Sequence, residues 1–172
     1  MMITQLQKQK RRLHAQIAEA FDAVPYPGDD NLYDGWQRDD DYEDVIGNLT
    51  SRHWRELIPK RKPPKGRSNP LLKDLNFCSP EAWHFFLPAY LIIDLMRGEI
   101  DTFLFEPRDR PVLKFDCLNA AQCTVVASFL GYAGLLLDDK QEKMPKHSRY
   151  FEHQREELVP VIAYWNDRTK QR

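Results

Sequence analysis

The sequence predicts a mainly α-helical single domain over residues 1–172: an irregular bundle of about five helices around one apolar helix. Three observations carry that expectation. The 172 residues include 12 prolines against 7 glycines, a balance that favours helices punctuated by stiff connectors over glycine-looped nucleotide folds. Long stretches run free of proline and glycine with apolar residues at helical spacing. The segment 79–98 carries start and stop signals at both ends, with Ser79 as N-cap, Pro80 at the first helical position, Glu81 in the first turn, Arg97 in the last and Gly98 just beyond.

Taken in order, residues 4–23 lack proline and glycine and place Leu6, Leu13, Ile17 and Phe21 along one seam, which predicts a first helix with a basic start. The string Val24-Pro25-Tyr26-Pro27-Gly28 ends it, because each proline pushes its predecessor out of the helical region. Residues 29–44 form an acidic loop with eight carboxylates against the single Arg38. Thr50 and Ser51 then offer N-caps for a short helix over 52–58. Residues 60–67 hold five cations, two prolines and a glycine, the composition of a solvated linker. The interior of 79–97 is apolar nearly all round, which places it at the centre of the core, and Pro88 inside it predicts a kink. Asn119 caps a further helix through about Leu137, and 148–168 reads as an amphipathic helix through Phe151, Leu158, Ile162 and Trp165. Residues 102–105 and 112–115 are the two strand candidates, enough for one short β-hairpin.

Charge and cysteine usage narrow the function classes. Lys and Arg number 25 against 26 Asp and Glu, so no global field draws the chain to nucleic acid or to an anionic membrane. The basic segment 60–67 has no interleaved aromatic, which argues further against nucleic acid. Cys78, Cys117 and Cys123 form no metal-binding pattern and cannot all pair, as expected of packing thiols in a reducing, cytoplasmic setting. No signal peptide is read at the N-terminus, and the apolar runs 82–96 and 125–137 read as too short to span a bilayer. Phosphate-cradling glycine loops and nucleophile elbows are absent, and no cofactor is expected. On the apolar helix, Asp94 needs a partner such as Arg97 one turn on or a backbone donor from another helix, and His84 is expected to be either satisfied within the core or at the surface.

Three stretches together resemble an uncharacterised bacterial family, a domain of unknown function. They are Ala20-Phe21 followed by Val24-Pro25-Tyr26-Pro27-Gly28-Asp29-Asp30-Asn31; Phe77 with Pro80-Glu81-Ala82 and Leu87-Pro88-Ala89-Tyr90-Leu91; and the set Phe115, Leu118, Gln122, Val126, Phe129, Leu130 and Tyr132. They span about two thirds of the chain. The acidic stretch 34–44 and the basic linker depart from the family pattern. The resemblance implies a fold unit and brings no established activity.

The sharpest functional candidate is the acidic segment itself. Asp29, Asp30, Asn31, Asp39, Asp40, Asp41, Glu43 and Asp44 surround Tyr33, Trp36 and Tyr42. Aromatic anchors ringed by charge are common at interfaces, and dense carboxylates steer a basic partner. The expectation is a non-catalytic domain that binds a basic protein, comparable by analogy with bacterial immunity proteins or regulatory proteins. The alternative is a metal-dependent hydrolase, with Asp29, Asp30 and Asp34 as oxygen ligands for a hard cation.

Overall fold

The computed structural model describes residues 4–33, 40–64, 68–107 and 112–171. Among these lie seven α-helices: α1 (Gln5–Ala20), α2 (Asp40–Leu49), α3 (Leu71–Phe77), α4 (Pro80–Arg97), α5 (Val112–Asp116), α6 (Ala120–Lys143) and α7 (Ser148–Gln171). No strand occurs among the described residues beyond one isolated antiparallel bridge between Tyr33 and Cys78.

The centre is α4. Ser79 accepts the Ala82 N–H at its start, and Gly98 stops it in the left-handed conformation at φ 70°. Between them nearly every side chain is buried, on all sides of the helix. Such a helix needs partners all round, and α1, α3, α5 and a turn at 54–57 supply them. Pro88 lies buried within α4 and withholds one N–H from the helical ladder.

The second half of the fold is the antiparallel pair α6 and α7, joined by a short 3₁₀ turn at Pro145–His147. Asn119 and Gln122 form a reciprocal capping box at the start of α6. The helix continues past Gly131 and Gly134 to Lys143 with α7 packed along it, and Leu158 lies at ordinary contact distance from where a Cβ on residue 134 would stand. At 24 residues, with a window of mean hydropathy 1.6, α6 is long and apolar enough to cross a membrane by length and composition. Half of that window is buried against the rest of the protein, as in a core helix.

Three expectations are revised. The strand candidates are helical: Phe103–Phe105 is a 3₁₀ turn and 112–116 is α5, so no hairpin forms. Leu104 and Phe105 are both buried, whereas neighbouring residues of a one-faced strand point to opposite sides. The acidic segment is not loop throughout, since α2 begins at Asp40, and a 3₁₀ turn covers Asp29–Asn31. The short helix expected over 52–58 is a 3₁₀ turn at Trp54–Leu57, capped by His53 rather than by Thr50 or Ser51. The short helix α3 carries no sequence signal strong enough to have been expected.

Gly98 gives a direct test of the central helix. Its positive φ is costly for any residue with a Cβ, yet nothing lies within 4 Å of where that Cβ would stand. Gly98→Ala is therefore expected to lower unfolding free energy by about 1–2 kcal/mol through backbone strain alone. Urea denaturation with an unchanged m-value checks this.

Candidate functional site

The VPYPGDDN turn is built as a clamp. Gly28 takes φ 88°, which turns the chain into the 3₁₀ segment Asp29–Asn31. The Tyr26 hydroxyl donates to Asp29 Oδ1, as does the Ser51 N–H at 2.8 Å, while Ser51 Oγ donates to Oδ2 at 2.9 Å. These donors hold the Asp29 carboxyl below the usual carboxylate range, with Tyr26 the largest influence. They also hold Ser51 at φ 54°, a left-handed conformation uncommon outside glycine. Asn31 Nδ2 donates to the Pro27 carbonyl at 3.0 Å, and the Asn31 carbonyl accepts from Ser79 Oγ at 2.5 Å. The turn is thus pinned to the start of α4 and to the end of α2.

The two ends of the acidic segment converge. Leu32 and Val45 are fully buried, and Tyr33 meets Tyr42 edge to face at 5.2 Å. Asp30 and Glu43 are exposed, while both tyrosines are half-buried. Asp34, Trp36 and Asp39 lie outside the described residues, as do the side chains of Asp40, Asp41 and Asp44, whose backbone belongs to α2. Among the described residues no group of three His, Cys, Asp or Glu is placed to hold a metal ion. In the basic linker, Lys65–Arg67 lie outside the described residues. Lys62 comes close enough to Lys10 of α1 to add to the effect of burial in lowering the Lys10 pKa.

A buried polar hub closes the other end of α4. Asp94 is fully buried; its Oδ1 accepts Asn69 Nδ2 at 2.8 Å and Arg97 Nη1 at 2.9 Å, and its Oδ2 accepts the Asp101 N–H at 3.1 Å. Arg97 reaches Glu99 with its other nitrogen at 3.0 Å. Asn69 also donates to the Tyr90 carbonyl, and Tyr90 OH donates to the Asp101 carbonyl. Burial pushes the Asp94 carboxyl up to about 6, against the pull of the Asp101 N–H, Asn69 and Arg97. The pairing of Asp94 with Arg97 is the one the sequence spacing suggested. Asn69 and Asp101 are brought in by the fold.

His84 is satisfied structurally. Its Nε2 lies 2.9 Å from Gln122 Oε1, which also accepts the Asn119 N–H, while Gln122 Nε2 donates to the Ala20 carbonyl. With Gln122 Oε1 fixed as the acceptor, His84 Nε2 is the donor, and burial lowers its pKa. The thiol of Cys78, buried against the Tyr33 bridge, is pushed up to about 12 by desolvation, which leaves it unreactive.

A cleft of about 940 Å³ opens beside the Asp94 hub, between residues 97–106 and the α6–α7 pair. Leu136, Leu137, Phe151 and Leu158 form its apolar floor, with Met144 and Tyr150 at its edge. Glu99, Asp101, Glu106 and Glu157 line it together with the cations Arg97 and Lys140. Sequence reasoning missed this cleft because its walls come from three separate stretches. The faint signal was the continuation of apolar residues beyond Gly134, at Leu135–Leu137.

The architecture defines a helical domain with a clamped acidic segment at one end of its central helix and a cleft at the other. No protein-family model, curated protein or solved structure matches the chain.

Proposed function

We propose that this chain is a non-catalytic protein-binding domain that recognises a basic partner through residues 29–44. The observation that carries the reading is the edge-to-face contact of Tyr33 and Tyr42, with Leu32 and Val45 buried beside them. Both ends of the acidic segment are thereby anchored to the core. Anchoring reduces the ordering entropy that a charged loop loses on binding, which favours recognition over mere solvation. Asp30 and Glu43 stand exposed at the two ends. Carboxylates so placed accelerate encounter with a basic surface and reject an acidic one. An immunity-type or regulatory protein of the bacterial cytoplasm fits this reading by analogy of size and charge. Membrane and nucleic acid are not the partners proposed.

Reversal of Asp39, Asp40 and Asp41 to Lys tests it. Affinity capture from the native host, read by mass spectrometry, is expected to recover a basic protein with the native chain. With the triple variant, recovery should fall about tenfold or more at unchanged circular dichroism, with only a small fall in melting temperature from placing Lys in the first turn of α2. Equal capture by both chains overturns the reading.

A further inference from the structure

We propose that the basic linker, through Lys60, Arg61 and Lys62, docks the acidic segment 29–44 of a second copy of this chain. The inference rests on the reading of that segment as a recognition surface and adds a partner for it. The linker of another copy competes with the host's basic protein for the same carboxylates.

The fold holds the two charged stretches apart. Residues 29–33 are fixed at the start of α4, where the Ser79 N–H donates to the Leu32 carbonyl at 3.1 Å and Tyr33 bridges to Cys78. The linker runs to the other end. Lys10 Nζ donates to the Met96 carbonyl in the last turn of α4 at 3.4 Å, and Lys62 lies close to Lys10. A rise of 1.5 Å per residue separates Ser79 from Met96 by about 25 Å. That span is some three times the Debye length of about 8 Å at physiological salt, so the linker does not neutralise its own acidic segment.

Both stretches keep unpaired charge for an external partner. Lys60, Arg61 and Lys62 are exposed, as are Asp30 and Glu43. Among the described residues none of these five side chains takes part in an ion pair or hydrogen bond within the chain. After burial, the Lys62 ammonium is the next cause that lowers the Lys10 pKa, the response of a cation to like charge beside it.

Order is built into the linker as well. Ile58 and Pro59 are half-buried ahead of its cations, Pro63 and Pro64 restrict the backbone after them, and Asn69 is buried where it donates to the Tyr90 carbonyl. A stiff cationic run that meets an anchored acidic one loses little conformational freedom on docking. A second copy supplies the acidic run at the linker's own concentration. Two copies lying antiparallel make the contact twice and close on a two-fold axis.

Sedimentation velocity of the full chain at about 0.05 M salt is expected to show reversible dimerisation that weakens at least fivefold at about 0.5 M. Reversal of Lys60, Arg61 and Lys62 to Glu, and separately the Asp39, Asp40 and Asp41 reversal, should each leave monomer. An equimolar mixture of the two variants should dimerise again. Reversal of the exposed Lys143, Lys146 and Arg149 to Glu changes net charge equally at another place, and dimers should persist. Circular dichroism confirms that each variant folds. The proposal is overturned by a native chain that stays monomeric at low salt, by dimers that survive the linker reversal, by a mixture that does not associate, or by equal loss in the Lys143, Lys146 and Arg149 variant. A monomeric native chain whose host capture still falls with the aspartate reversal sinks this inference alone, whereas equal capture by both chains removes the acidic-segment reading beneath it.

Discussion

Arg97→Ala is expected to lower unfolding free energy at pH 7 by about 3–5 kcal/mol, because it strands the fully buried Asp94 carboxylate without its cation. The loss shrinks as pH falls, since a buried carboxyl without its counter-charge takes up a proton in preference to staying ionised. In the native protein the sign is set by burial. The Asp94 pKa is raised to about 6 from 3.8, so between those values the folded state binds the proton that the unfolded chain has released. Ionisation of Asp94 therefore opposes folding: its full unfavourable contribution is present above pH 6 and is relieved as pH falls through 6 towards 4. Two pH units correspond to something on the order of 2–3 kcal/mol. Asp29 runs the opposite way, since its pKa is lowered and its contribution is lost in acid. The measurement is urea unfolding from pH 4.5 to 7.5 for the native chain and Asp94→Asn. The native-minus-variant difference should become more favourable to the native chain as pH drops. A difference that stays flat across that range refutes the assignment.

Trp165→Ala is expected to cost about 3–5 kcal/mol and to loosen α7 from the rest of the core. The indole is fully buried, packs on Phe115 at 4.8 Å and Phe105 at 6.3 Å, and donates its Nε1–H to the Phe105 carbonyl at 3.0 Å. Truncation removes the packing and leaves that carbonyl without its donor. Trp165→Phe keeps much of the apolar area and loses the hydrogen bond, so its cost should fall to about 1–3 kcal/mol. Denaturant midpoints, with hydrogen exchange along α7, separate the two. Equal effects of both variants would mean that the hydrogen bond carries the interaction and packing does not.

The Asp94 and Trp165 sites show where sequence reasoning succeeds and where it stops. Asp94 and Arg97 lie one turn apart on a helix whose ends are signalled by Ser79, Pro80 and Gly98, so their pairing follows from local spacing. Asn69 and Asp101 complete the hub from outside the helix, and no local pattern points to them. Likewise Trp165 reads as part of an amphipathic face, but its bond to Phe105 joins residues 60 positions apart. The same distinction explains the misread strands. Short apolar runs such as Phe103-Leu104-Phe105 carry no period long enough to separate strand from helical turn, and packing decides. In the acidic segment the composition was plain, whereas the start of α2 at Asp40 and the Tyr33–Tyr42 contact depend on burial of Leu32 and Val45.

Helix capping and apolar periodicity act over a few residues, so the chain by itself determined that it is helical, where α1, α4, α6 and α7 begin, and that α4 lies at the centre. The clamp of Asp29 on Ser51, the four-residue hub around Asp94 and the cleft between residues 97–106 and the α6–α7 pair were decided by tertiary structure. Each joins groups distant in sequence, and what selects them is the shared need to satisfy buried polar atoms and fill space.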